Sequence, residues 1–488
     1  MLTSNYFDTN SSTLNPIRNE LYKIEFGDQR LNNRSLSLIE NLAKSPKASI
    51  NATFDTLPAT LAAYRFFANP KVTPQSMLTP HRQQSIVRAS SFKSIRLVQD
   101  TSEVDFSSLT TLKGMGPLAS KEKRGMFLHT SVMVAPGGLV LGVRDINYVI
   151  RKDEDLGKSA ERKNYPIEQK ESFRWLQGYR DACLLQEQIP ESEVVSVSDR
   201  EADMYEIFAE YENRKKEGLT VAHYVNRAKE NRVLLGEHKG FKLFDLDRAG
   251  EPLGTITFEV PAQKQRIKVN GNSKVYQRKK RMVTQEIRVH EITPRPPQRK
   301  GQKMKAVSLY LVCATEINVP EGQRPIHWRL LTSKPLKSFK DAQEILGIYL
   351  DRWQIEVFFK TLKTGCKVEE VGLKSSDALK NAVMMYSIIA WRQLYMTHLA
   401  RTHPDQACGK VFKKHEWQST LKVFHQGEDI IEKEPTLAEF ILIVAKLGGY
   451  LNRKHDPAPG TETLWRGFQK VDAYAEAWLA FSKQKTYV

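Results

Sequence analysis

The chain has 488 residues, with 74 Lys and Arg against 56 Asp and Glu, giving a formal net charge of +18 and an isoelectric point of about 9.5. That length allows two or three domains with large cores, and the basic excess favours a polyanionic partner, nucleic acid ahead of an anionic membrane because no segment reads as a basic amphipathic anchor. No uninterrupted apolar run is long enough to span a bilayer and nothing in MLTSNYFDTN reads as a secretory signal; Cys183, Cys313, Cys366 and Cys408 lack metal-ligand spacing, so reduced core thiols in a cytoplasmic protein with no membrane partner are expected.

Residues 1 to about 75 read as short basic helices, in GDQRLNNRSLSLIENLAKSP and PATLAAYRFFANP, with a boundary at the turn chemistry of Asn69-Pro70. A small basic helical module of this kind is a common duplex-binding device. From about Ser91 the pattern changes. SIRLVQD is a short apolar strand ending on a carboxylate, and FLHTSVMVAPGGLVLGVRDI is a hairpin turning at Pro136-Gly137-Gly138. A helix in ESFRWLQGYRDACLLQ, a strand in EVVSVSD, a helix from about Ala202 to Tyr211 and a strand in LTVAHYVNR follow. This order predicts an α/β fold in which helices cover a mixed sheet, with Asp100 and Asp199 at strand ends where such sheets place ligands.

Residues from about 230 to 338 offer β-like runs, TITFEV, TQEIRVHEI and AVSLYLVCATEI, separated by basic or Pro-rich loops that include YQRKKRM and TPRPPQRKGQK. They predict an antiparallel β insertion whose cations could contact a nucleic-acid backbone. From about Ser375 the chain reads as helical; NAVMMYSIIAWRQLYMTHLA carries Arg392 and suits a buried helix, and Gly448-Gly449 and the Pro457–Gly460 loop interrupt the rest.

YLDRWQIEVFFKTLKTG, residues 349–365, reads as one helix. At about 100° per residue, Tyr349, Arg352, Glu356 and Lys363 fall within roughly 60° of one another. An acid on an otherwise basic, half-buried face needs a cation or a metal to stay charged. Asp100, Asp199 and Glu356 together suit hard divalent ions, which take a few carboxylates plus waters and phosphate oxygens. Two such ions about 4 Å apart can promote in-line displacement at phosphorus, and a basic protein would bring the phosphodiester to them.

The DREAD block at Asp199 to Asp203 and the Y-x2-R-x3-E-x6-K signature at Tyr349, Arg352, Glu356 and Lys363 resemble the DDE transposases of the bacterial insertion-sequence-four group, in the ribonuclease-H-like, retroviral-integrase superfamily. The similarity extends to GDQR, AAYRFFANP, PIHWRLLTSKP, LGGYL and LWRGF, and so spans nearly the whole chain. The resemblance implies a helical transposon-end-binding domain over 1–75, a ribonuclease-H-like catalytic domain over 76–374 carrying the β insertion, and a helical dimerisation and DNA-contact domain over 375–488. It implies that Asp100, Asp199 and Glu356 hold two Mg²⁺ ions, with Mn²⁺ able to substitute. Tyr349, Arg352, Lys363, Arg227 and Lys360 would grip the strand not transferred, Trp328 would stack a flipped base, and Trp353 would brace the bent strand. Arg34, Lys44 and Arg65 would contact the transposon end.

The implied activity is cut-and-paste transposition by a homodimer that binds inverted terminal repeats in double-stranded DNA, excises the element through a hairpin and joins its 3′ ends to target DNA in a bacterial cytoplasm. Tyr205 stands where a family member has His, a departure outside the metal-binding acids. The rivals are a nuclease that cuts without strand transfer and a DNA-binding regulator without catalysis.

Overall fold

The computed structural model describes residues 17–120, 122–155, 165–260, 262–269, 272–298, 304–426, 433–456 and 458–484. Side-chain caps start the N-terminal helices. Asp28 accepts the Arg30 N–H ahead of α1 (Gln29–Lys44), Ser49 that of Ala52 ahead of α2 (Ile50–Thr53), Thr56 that of Ala59 ahead of α3 (Leu57–Phe67), and Thr73 that of Ser76 ahead of α4 (Pro74–Ala89). Next come β1 (Ser94–Asp105), β2 (Gly116–Pro117), β3 (Arg124–Val134) and β4 (Val140–Val149), then α5 (Phe173–Gln188), β5 (Glu193–Ser198), α6 (Tyr205–Lys216) and β6 (His223–Arg227). The insertion supplies β7 (Leu234–Leu235), β8 (Gly254–Val260), β9 (Gln263–Val269), β10 (Asn272–Arg278), β11 (Arg281–Pro294), β12 (Leu309–Ile317) and β13 (His327–Thr332). Helices α7 (Phe339–Leu350), α8 (Trp353–Lys360), α9 (Ser376–Thr402), α10 (Lys414–Phe424), α11 (Leu437–Leu447) and α12 (Thr461–Gln484) complete the chain. The fold is thus a mixed α/β sheet with helical N- and C-terminal flanks.

The chain divides into two compact units. The first takes its residues from Met1–Ile95, Asp100–Gly157 and Trp353–Val488. Its β3–β4 hairpin turns through Gly137 and Gly138, whose φ of 84° and 92° favour glycine, as Pro136-Gly137-Gly138 predicted. Helix α9 runs through the core and touches β4, α1, α3, α4, α11 and α12. Two anchors fix it. Asn381 donates to the Phe67 and Val72 carbonyls at 2.9 Å, and Trp391 Nε1 donates to the Val140 carbonyl at 2.9 Å.

The second unit holds Arg96–Gln99 and Lys158–Arg352. Strands β5 and β6 are parallel; β13, β12 and β11 follow antiparallel, with β7 and β8 both on β11 and β9–β10 forming a separate ribbon. Tyr179, Phe208, Tyr211 and Tyr224 pack as an aromatic cluster beneath. Helix α5 lies so close to β1 that a Cβ on Gly178 would stand 1.8 Å from Gln99 Oε1. The four cysteines are buried and free, and burial pushes the Cys366 and Cys408 thiols up to about 12. Among the described residues no helix is long and apolar enough to cross a membrane.

Three local expectations are corrected. YQRKKRM is not a loop: β10 runs through Arg278 and β11 starts at Arg281, leaving Lys279-Lys280 as the turn. The helix expected from Ala202 begins at Tyr205, because Asp203 is drawn aside to accept the Lys229 and Glu230 N–H groups and Arg232. The strand expected across LTVAHYVNR begins only at His223. The Pro457–Gly460 loop and TPRPPQRKGQK lie partly outside the described residues.

Candidate active site

Strand β5 delivers Asp199 to the first position of a single 3₁₀ turn, Arg200–Ala202, yet its carboxylate does not cap that turn. The Tyr349 hydroxyl points at Asp199 Oδ1 from 3.4 Å, a long contact that leaves most of the carboxylate's acceptor capacity open. Tyr349 is only 5% exposed, and burial followed by the Asp199 charge raises its hydroxyl pKa. The Arg352 guanidinium lies 5.7 Å from the Tyr349 ring centre, and the charges of Arg352 and of Arg227, at the end of β6, act against that rise. Trp328 on β13 stacks on Phe258 at 6.0 Å and 17° and stands 6.0 Å from Tyr349.

Two further cations belong to this cluster and were passed over in the sequence. Arg200 follows Asp199 directly, and partial desolvation and then the like charge of Arg227 lower its pKa. Arg329 follows Trp328; its Nε donates to Asp247 Oδ1 at 2.6 Å and its guanidinium covers the Phe244 ring at 3.9 Å. The only signal for either was adjacency to a residue already singled out.

The first unit holds the other acids. Asp100 is half-buried on β1, where Oδ1 accepts the Thr101 N–H at 2.7 Å and Thr101 Oγ1 meets His129 Nδ1 at 2.9 Å. Glu356 is half-buried on α8, a helix that packs on β3 and buries Ile355, Phe358 and Phe359. Burial lowers the basicity of Lys363, while Glu369, Glu103 and Asp105 pull the other way. Trp353 is 58% exposed, which removes a core role for it, and Lys360 is exposed.

The single helix expected over 349–365 is not what forms. Helix α7 stops at Leu350, Asp351 and Arg352 make a turn in which the Arg352 N–H bonds the Tyr349 carbonyl at 3.1 Å, and α8 starts at Trp353. A π-helical turn at Thr361–Gly365 follows, closed by the Cys366 N–H on the Thr361 carbonyl at 2.9 Å. Both features shift the phase that a uniform 100° step assumes. Tyr349 and Arg352 accordingly fall in the second unit, and Glu356 and Lys363 in the first.

Arg34 on α1 and Arg65 on α3 are exposed. Lys44, at the end of α1, is exposed too but pairs with Glu476 of α12, and Lys47 pairs with Glu462 at 3.1 Å. Among the described residues no three His, Cys, Asp or Glu side chains converge as a ready metal cage. The donor chemistry nonetheless fits a hard divalent cation: all three acids are carboxylates, and Asp199 has capacity left beside its one long contact.

Three family models match the chain. A transposase DNA-binding model covers residues 16–72, a transposase DDE domain covers 222–392, and a transposase Tn5 dimerisation domain covers 388–486. Arg34, Lys44 and Arg65 lie within the first match; Arg227, Trp328, Tyr349, Arg352, Trp353, Glu356, Lys360 and Lys363 lie within the second.

Proposed function

The chain belongs to the DDE transposases, with a DNA-binding module and a Tn5-type dimerisation module, and from that premise we propose that it is a cut-and-paste transposase cleaving through a DNA hairpin. Divalent-metal dependence goes with the family. In this reading Asp100, Asp199 and Glu356 would hold two Mg²⁺ ions, with Mn²⁺ able to substitute, and the ions would supply activation of the attacking oxygen and stabilisation of the leaving one. A water nicks one strand, the freed 3′-hydroxyl attacks the opposite strand to close a hairpin, a second water opens it, and the same hydroxyl attacks target DNA. Each step is an in-line substitution at phosphorus, so one set of acids serves all four.

The chain's own residues do the positioning. The observation that carries the reading is one open carboxylate, Asp199, among Arg200, Arg227, Arg329 and Arg352 beside a buried tyrosine. An arginine-rich pocket of this kind matches phosphate geometry. Tyr349, Arg352, Arg227, Lys360 and Lys363 would hold the phosphates of the strand not transferred. Trp328, on its Phe258 platform, would stack an extruded base, and exposed Trp353 would brace the bend. Residues 1–75 would read the terminal repeats through Arg34, Lys44 and Arg65, residues 76–374 would carry the chemistry, and 375–488 would join two protomers on paired ends. A DNA-associated place in a bacterial cytoplasm belongs to the same proposal.

The test is a denaturing gel of the protein and Mg²⁺ on a linear fragment carrying its gene with both flanks. Wild type is expected to release hairpin-ended product and to join it to a second DNA. Asp199→Ala is expected to lose cleavage by roughly 1000-fold or more while still shifting end DNA. Cuts without hairpins or joining would favour a nuclease, and a shifted but intact fragment would favour a binding regulator.

A further inference from the structure

The break between α7 and α8 has no Pro or Gly to cause it. The run YLDRWQIEVFFK is made of residues that would ordinarily carry a helix onward. Burial does not cause it either, since Leu350 and Trp353 on either side are 56% and 58% exposed. Asp351 is the C-cap of α7 and stands two residues ahead of α8, so it meets the negative end of one helix and the positive end of the next. It forms an ion pair with Arg96 of β1: Arg96 Nε lies 3.1 Å from Asp351 Oδ2, and both side chains are nearly buried.

The pair is part of a chain of charges within the second unit. Glu344 of α7 and Glu193 of β5 add to the field on Arg96, and Lys334 joins those two, 3.1 Å from Glu344 and 2.6 Å from Glu193. Glu193 opens the strand that leads to Asp199, and Lys334 follows the strand that carries Trp328. Arg352 is the residue after Asp351, and Tyr349 is two before it.

We propose that Asp351 is a positioning residue for the strand-gripping pair: its ion pair with Arg96 fixes the α7–α8 break and thereby sets where Tyr349 and Arg352 stand. The proposal rests on the transposase reading above and adds a residue to it that touches no DNA. Removing the negative charge lets the backbone at 350–352 relax toward continuous helix and turns the Arg352 guanidinium away. A misplacement of about 1 Å in a positioning group costs on the order of 100-fold in rate.

The experiment uses the full-length protein on a labelled transposon end with Mg²⁺ and measures two rates: the first nick, and release of the second strand by whatever route. Asp351→Asn is expected to lower the ratio of second-strand release to first nick by roughly 10- to 100-fold. It also removes the carboxylate that Arg96 pairs with at 3.1 Å, so stability falls. The double variant Arg96→Met with Asp351→Leu separates the two effects, because replacing both charges by apolar groups restores stability without restoring the break. The ratio is expected to stay low in it. Combined with Arg352→Ala, Asp351→Asn should add little further loss.

A ratio unchanged in Asp351→Asn, or one that recovers with stability in the double variant, overturns the proposal. If wild type releases the second strand without hairpins, the hairpin reading fails while the ratio still reports on Asp351. A DNA-free readout stands beside it. Acrylamide quenching of Trp353, taken as the difference from Trp353→Phe, is expected to change in Asp351→Asn, and an unchanged signal would overturn the proposal even in a protein that cut nothing.

Discussion

Glu20 in the first unit and Asp199 in the second both meet arginines, and they meet them in opposite ways. Glu20 is buried. It takes a hydrogen bond from His81 Nδ1 at 2.6 Å and two from Arg88, at 2.8 and 3.1 Å. His81 Nε2 accepts the Val143 N–H at 3.0 Å, which places the ring proton on Nδ1, facing Glu20. Arg88 also donates to the Leu141 carbonyl at 2.7 Å and lies 4.3 Å over the Trp391 ring. Burial alone would raise the Glu20 pKa, but Arg88 and His81 hold it down at about 2. Asp199 has one contact, at 3.4 Å, with Arg200, Arg227 and Arg352 around it, while Arg329 is already paired with Asp247. A closed network of donors and acceptors anchors a fold, whereas an open carboxylate among excess cations is built for something that arrives later.

The largest expected effect follows from the closed network. Glu20→Ala strands His81 and Arg88 without their acceptor and is expected to cost about 3–5 kcal/mol, read from a denaturant midpoint. The sign with pH is fixed. The folded pKa of about 2 lies below the ordinary 4.5, so the stabilisation is present above about pH 4.5 and is lost as pH falls through about 2. The variant should lack that acid limb. Asp199→Asn, by contrast, should leave stability within about 1 kcal/mol of wild type. If Asp199→Asn destabilised as much as Glu20→Ala, the contrast between the two clusters would collapse.

Arg200 sharpens the same contrast from the cation side. Arg200→Ala is expected to slow second-strand processing by roughly tenfold and to lower the salt dependence of end-complex formation by about one charge. Its melting temperature should stay at the wild-type value, because no structural carboxylate is left unpaired. A loss of stability with unchanged cleavage would assign Arg200 to the fold.

What could be read in the sequence was whatever local chemistry decides. The β3–β4 turn follows from Pro136-Gly137-Gly138, and the buried course of α9 from a long apolar run carrying one arginine. The strand end before Asp199 follows from an apolar run that stops at a carboxylate, but the end expected at Asp100 does not form, because β1 runs on to Asp105. What could not be read was set by partners far along the chain. The α7–α8 break depends on Arg96, some 250 positions away, so a uniform helical wheel over 349–365 was the natural and wrong assumption. Asp203 reads as part of a helix, yet Lys229, Glu230 and Arg232 claim it and delay α6. Arg200 and Arg329 carry no spacing signal, since an arginine cluster assembled from the ends of β5, β6 and α7 and from β13 leaves no periodicity in any one of them.

A third cluster lies between these extremes and gives the smallest effect. Asp472 of α12 is half-buried, facing Glu416 of α10, Arg392 of α9, Lys44 of α1 and Glu476 of its own helix. Burial, then Glu416, raises its pKa to about 7, with Arg392 and Lys44 opposing. Relative to the ordinary 3.8 the folded value is raised, so the folded state binds this proton more tightly than the unfolded chain does. The contribution is therefore complete below about pH 4 and is lost as pH rises through about 7. Asp472→Asn should match wild type near pH 4 and exceed it at pH 8, by on the order of 1 kcal/mol once solvent access to the carboxylate is allowed for. Melting curves across pH 4 to 8 for the two proteins check this. Parallel curves would mean that Arg392 and Lys44 already balance Asp472, placing this cluster with Glu20 among the closed networks.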